Sequence, residues 1–98
     1  MEKITTATYI KSIKEGGSVA VLFGSHCGRC IKARGVMKKI SPEIKTFYCD
    51  IEKERHLFYM LGILYVPTVI LYKNGEYIGR ITGEITKEKV EEYYGKKA

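Results

Sequence analysis

Cys27 and Cys30 stand in the segment Cys27-Gly28-Arg29-Cys30, and their type and spacing suit them to chemistry. The pair follows an apolar run, Val19-Ala20-Val21-Leu22-Phe23, and opens a stretch with helical spacing. Cysteines three positions apart at the start of a helix lie one turn apart on the same side. The first then sits where free backbone N–H groups and the helix dipole favour a thiolate. A thiolate is both a nucleophile and a metal ligand, so the motif admits redox chemistry or zinc binding. His26, just before the pair, could stabilise the thiolate when charged. Arg29, between the cysteines, is placed to lower the Cys27 pKa through its charge and to favour acidic partners. A zinc site would need Cys49 and His56 beside Cys27 and Cys30, and it would lack a second close ligand pair. Cys49 ends another apolar run and reads as a small core residue.

The elements that must position the pair can be read from apolar spacing. A helix is expected over residues 6–15, with Tyr9, Ile10 and Ile13 on one side and Gly16-Gly17 ending it. Residues 19–23 form a continuous apolar run between glycines, as in a strand buried on both faces. A helix over 28–40 repeats Ala33, Val36, Met37 and Ile40 inward, and Ser41-Pro42 stops it. A second strand covers 44–49. Asp50 is placed to cap a helix over 52–61, which Gly62 ends. Residues 66–72 give a strand led by Pro67, Asn74-Gly75 a hairpin turn, and 77–82 the return strand. Thr86 caps a last helix through Tyr94, with Val90, Tyr93 and Tyr94 inward. The order α-β-α-β-α-β-β-α predicts an α/β fold with a mixed sheet and helices on both faces. Its first two strands are joined through a helix, so they should be parallel.

The chain has 98 residues, which fits a single domain over 1–98. Apolar residues make up 45%, a globular rather than a disordered composition. The net charge of +6 comes from lysines spread along the chain, with no run of five basic residues and no nucleic-acid motif. No nucleic-acid partner is expected. No apolar stretch approaches the roughly 20 residues that span a bilayer, and the N-terminus lacks a signal-peptide core. The expected location is cytoplasmic, where a Cys-x-x-Cys pair is catalytic or metal-binding rather than a structural staple. No Gly-x-Gly-x-x-Gly fingerprint occurs, so no bound flavin or NADPH is expected.

Three features in order carry a family resemblance. They are Cys27-Gly28-Arg29-Cys30 after a buried strand, Val66-Pro67-Thr68, and the hairpin Leu71-Tyr72-Lys73-Asn74-Gly75-Glu76. Gly83 matches as well. On these the chain resembles the thioredoxin-fold family from Ile4 onward, nearer to thioredoxin than to glutaredoxin. The resemblance implies a central mixed four-stranded sheet, the family's first strand being short or absent around Lys3 and Ile4. It implies a thiol-disulfide oxidoreductase that reduces protein disulfides. Cys27 would attack, Cys30 would resolve, and the two would form a redox-active disulfide. Val66, a cis Pro67, His26 and Arg29 would meet the substrate. Electrons would come from NADPH through a separate thioredoxin-reductase-like enzyme, to a monomer acting on disulfide-containing proteins.

The chain departs from the family pattern at several positions. His26 replaces a tryptophan, Gly35 a kinking proline, and Val21 the buried aspartate that takes the proton of the second cysteine. The lysine accompanying that aspartate falls near Thr46. A glutaredoxin-like protein recharged by glutathione is the alternative. That group commonly has Thr before the cis-proline and a Gly-Gly pair after the last strand, where this chain has Val66 and Gly83-Glu84. A zinc module and a partner subunit with dispensable cysteines are further alternatives.

Overall fold

The structure is a computed structural model that describes residues 1–95. The last three positions of the 1–98 span lie outside the described residues. The elements run β1 (Glu2–Lys3), α1 (Tyr9–Ile13), β2 (Ser18–Gly24), α2 (Gly28–Met37), β3 (Ile44–Asp50), α3 (Arg55–Met60), β4 (Thr68–Lys73), β5 (Glu76–Thr82) and α4 (Lys87–Glu92). One sheet orders them β1-β3-β2-β4-β5. Strand β2 pairs in parallel with β3 and antiparallel with β4, and β4 pairs antiparallel with β5. The sheet has five strands rather than four because Glu2 and Lys3 pair in parallel with Phe47 and Tyr48. This is the short first strand for which the resemblance left room.

Val19 to Phe23 are fully buried, as a strand covered on both faces must be. Alternation sends Val19, Val21 and Phe23 to one face, where they pack with Tyr9 and Ile13 of α1 and Leu57 and Phe58 of α3. Ala20 and Leu22 face the other side, against Ala33 and Met37 of α2 and Val90 of α4. Aromatic edges lock the first face, with the Phe23 and Phe58 rings 5.3 Å apart and nearly perpendicular.

Helix boundaries are tighter than apolar spacing predicts. Thr5 and Thr8 bond each other's backbone and hydroxyl groups, which holds a turn and delays α1 to Tyr9. Ile10 is 55% exposed, because Tyr9 and Ile13 face the sheet and Ile10 falls a third of a turn away. Helix α2 ends at Met37, since Lys39 and Ile40 bond back three residues to Val36 and Met37 and tighten the chain into a turn. The Asp50 carboxylate accepts the Glu52 N–H at 2.9 Å and so closes a turn before α3 rather than capping that helix. Strand β4 starts at Thr68, one residue after Pro67, which has no N–H to donate.

At the hairpin Asn74 and Gly75 have φ of 52° and 87°, as a two-residue turn between twisted strands requires. Asn74 also accepts from the Gly17 N–H at 3.0 Å through its side-chain oxygen. Thr86 caps α4 as expected, its hydroxyl accepting the Lys89 N–H at 3.1 Å. Tyr93, expected inward, is 43% exposed and lies across β5 instead. A Cβ on Gly79 would come within 2.3 Å of its ring, so only glycine admits it there. Tyr94 is the inward tyrosine, and its hydroxyl donates to the Val19 carbonyl at 2.7 Å. That bond ties α4 to the strand that carries the cysteines. Tyr94→Phe should lower stability by about 1 kcal/mol. The expected readout is a lower urea midpoint with an unchanged slope.

Candidate active site

Strand β2 ends at Gly24, and Ser25 and His26 lead directly into α2. Cys27 occupies the N-cap position, with extended backbone at φ −73° and ψ 159°. Its sulfur accepts the Cys30 N–H at 3.2 Å, the bond an oxygen makes at an ordinary cap. Cys30, in the first turn, is fully buried and accepts the Ser25 N–H on its sulfur at 3.3 Å. The sulfurs are 2.7 Å apart, and both are free thiols. Gly24 lies close under this turn: a Cβ there would stand 3.2 Å from the Cys30 sulfur and 3.3 Å from its Cβ, so Cys30 would have to give by a few tenths of an ångström.

The two thiols are electrostatically unequal. The Cys27 pKa is held below the usual thiol value. The hydrogen bond from Cys30 is the largest cause, opposed by burial and helped by the Cys30 backbone, the Ser25 side chain and the Arg29 backbone. Burial pushes the Cys30 thiol up, and its bond to Cys27 pushes it further. Either S–H can donate while both are protonated. Once the first proton leaves, the charge rests on exposed Cys27 and the Cys30 S–H donates to it. The pair therefore titrates as a unit, and its second proton is held more tightly. An exposed thiolate can attack a disulfide, and the buried thiol beside it can then displace the bound substrate sulfur.

His26 and Arg29 are both exposed, on either side of Cys27. The Arg29 backbone is among the smaller causes that lower the Cys27 pKa. The Val66–Pro67 peptide bond is cis. Thr68 closes this loop, its hydroxyl donating to the Tyr65 carbonyl at 2.6 Å. Pro67 and Arg29 share a groove of about 380 Å³ with Ala33, Lys32 and Glu84. Neither sulfur lines the groove, and Cys27 is exposed. Val66 is half-buried against the α1–α3 side of the core.

The zinc alternative does not assemble. Cys49 is buried among apolar side chains on the α1–α3 face, while His56 is exposed. Among the described residues, no three His, Cys, Asp or Glu side chains are placed to hold a metal ion. Burial pushes the Cys49 thiol up to about 12, with the charges of Glu54 and Asp50 adding to it, so it is a core group rather than a nucleophile. Val21 is likewise buried among apolar neighbours. Sequence reasoning missed Gly24 and Ser25. The glycine ending an apolar strand just before Cys-x-x-Cys was the available signal for the first.

Comparison with known proteins gives a consistent result. The Thioredoxin family model matches residues 1–96. A thioredoxin of Listeria monocytogenes is 26% identical, over 98% of this chain and 97% of its own length. A Bacillus subtilis thioredoxin is 24% identical, over 96% and 94%. Among solved structures, oxidised mitochondrial thioredoxin 3 of Saccharomyces cerevisiae superposes with a TM-score of 0.85 at 21% identity, covering 94% of both chains. A mutant thioredoxin of Halobacterium salinarum also reaches 0.85, at 19% identity, covering 94% of this chain and 88% of its own.

The inequality of the thiols has a direct readout in alkylation rate against pH. Cys27 should react at lower pH than an ordinary thiol. Cys30→Ala removes the largest lowering contribution and should move the curve to higher pH. Cys30→Ser, which keeps a donor, should move it less. Arg29→Ala keeps the backbone amide and should also move it less than Cys30→Ala.

Proposed function

This chain belongs to the thioredoxin family, and from that premise we propose that it reduces protein disulfides through the dithiol of Cys27 and Cys30. The observation that carries this reading is the pair of sulfurs 2.7 Å apart at a helix N-terminus, one exposed and the other buried, in contact so that the buried one favours the thiolate of the exposed one. The Cys27 thiolate attacks one sulfur of a substrate disulfide. The substrate S–S bond breaks, and its electron pair leaves on the second sulfur, which takes a proton from water. Cys30 then loses its proton and attacks the Cys27 sulfur. The mixed disulfide breaks, the first substrate sulfur leaves and is protonated, and a Cys27–Cys30 disulfide remains.

Val66 and Pro67 form the substrate platform. An extended segment pairs with the Val66 backbone, as a peptide adds to a sheet edge. Exposed Leu64 and Tyr65 give this platform an apolar rim. His26 and Arg29 flank Cys27 and favour acidic segments. The partners are disulfide-containing proteins and a separate reductase that draws electrons from NADPH; the chain itself acts as a monomer and as one domain. Val66 before Pro67 favours a thioredoxin-reductase-like donor over glutathione. No helix among the described residues is long and apolar enough to cross a membrane, and the proposed setting is the cytoplasm.

The test is NADPH-coupled insulin reduction with thioredoxin reductase, run beside a glutathione-coupled assay. The expected result is turnover with the reductase, lost in Cys27→Ser. Turnover with glutathione alone would transfer the protein to the glutaredoxin-like class. Turnover that survives in Cys27→Ser would contradict the dithiol reading.

A further inference from the structure

Cys30 must lose a proton to resolve a mixed disulfide, and Val21, on the strand that leads to the pair, is packed among apolar side chains. A polar side chain of β3 packs by the same glycine as Cys30. Tyr48 of β3 is 2% exposed, and its phenol oxygen is buried without a hydrogen-bond partner. A buried hydroxyl left unpaired calls for an explanation. The Tyr48 side chain faces the α2 side of the sheet. Its Cε1 atom and the Cys30 sulfur close on one point above Gly24, at 3.6 and 3.2 Å from where a Cβ would stand.

The groups around the phenol are few. From α2 come Cys30 and Arg34, whose guanidinium lies 4.3 Å from the ring centroid. From β3 itself come Asp50, two residues on and buried, and Cys49. Burial and the charges of Asp50, Cys30 and Cys49 push the phenol pKa up, and only Arg34 opposes them. The hydroxyl therefore keeps its proton at neutral pH and is a donor in want of an acceptor.

We propose that Tyr48 is a positioning residue for the resolving step, its O–H donating to the Cys30 sulfur as that sulfur becomes anionic. This rests on the roles given above to Cys27 and Cys30. Cys30 gives its proton to water, and its sulfur, held by the phenol, forms the bond to Cys27. The Cys27–substrate bond breaks, and the departing thiolate takes a proton from water in balance. Tyr48 is neither consumed nor ionised.

Stopped-flow reaction with the aromatic disulfide dithiobis(nitrobenzoate) separates the two events. The first thionitrobenzoate released reports attack by Cys27, and the second reports resolution by Cys30. In Tyr48→Phe the first phase should match wild type. The second should slow about tenfold or more, the loss expected when a charge-assisted hydrogen bond is removed. Its pH midpoint should also rise. A merely structural role would leave the second phase and its pH profile unchanged while the variant gained stability, and that result overturns the proposal. A wild-type protein with no first phase would overturn the dithiol reading and this proposal together. If Tyr48→Phe does not fold, the wild-type protein methylated at Cys27 carries the test. The carbon resonance of Tyr48 Cζ should move with the Cys30 titration, and a flat response overturns the proposal.

Discussion

The structure depends on one junction: a strand buried on both faces runs into a helix whose capping atom is a sulfur. Strand β2 is fixed by neighbours on each side, by apolar layers above and below, and by the Tyr94 hydroxyl on its Val19 carbonyl. Its C-terminal end therefore has little freedom, and α2 starts where that end points. The first turn of α2 has N–H groups that need acceptors. Cys27 supplies one with its sulfur, and the same contact favours the thiolate. Fold and reactivity are set by a single geometric requirement at residues 24–30.

Packing then separates the two sulfurs by environment. Cys27 is left outside the core, and Cys30 is turned into it above Gly24. The first charge goes to the exposed sulfur because a charge on the buried one costs more to desolvate. Gly24 is the pivot of this arrangement, since any side chain there would press on Cys30. The loop from Tyr65 to Thr68 approaches from β4, so strand pairing across the sheet brings Pro67 and Arg29 to a common groove. On the α2 side of the sheet, Arg34 stacks over the Tyr48 ring.

Much of this is legible in the residues. The β2 run, the Asn74-Gly75 turn and the Thr86 cap each obey a local rule that tertiary contacts reinforce, and the structure keeps them. The Cys27/Cys30 pair is legible for the same reason, because N-cap chemistry is local. The misplacements share a different cause. Ile10 and Tyr93 fit a helical apolar pattern, but short helices present only two or three positions to the sheet, and Tyr94 takes the place that Tyr93 was expected to fill. Asp50 obeys a capping rule but acts one turn early, on Glu52. Tyr48 and Gly24 meet Cys30 across two strands and a helix, and spacing along one chain carries no record of such a meeting.

The central claim is that Cys27 attacks and Cys30 resolves. Covalent trapping tests it most directly: a disulfide-containing protein is incubated with Cys30→Ser and with Cys27→Ser, and the adducts are located by mass spectrometry. The account predicts a stable mixed disulfide on Cys27 in Cys30→Ser and none on Cys30 in Cys27→Ser. Equal adducts on both cysteines, or an adduct on Cys30 alone, would contradict it.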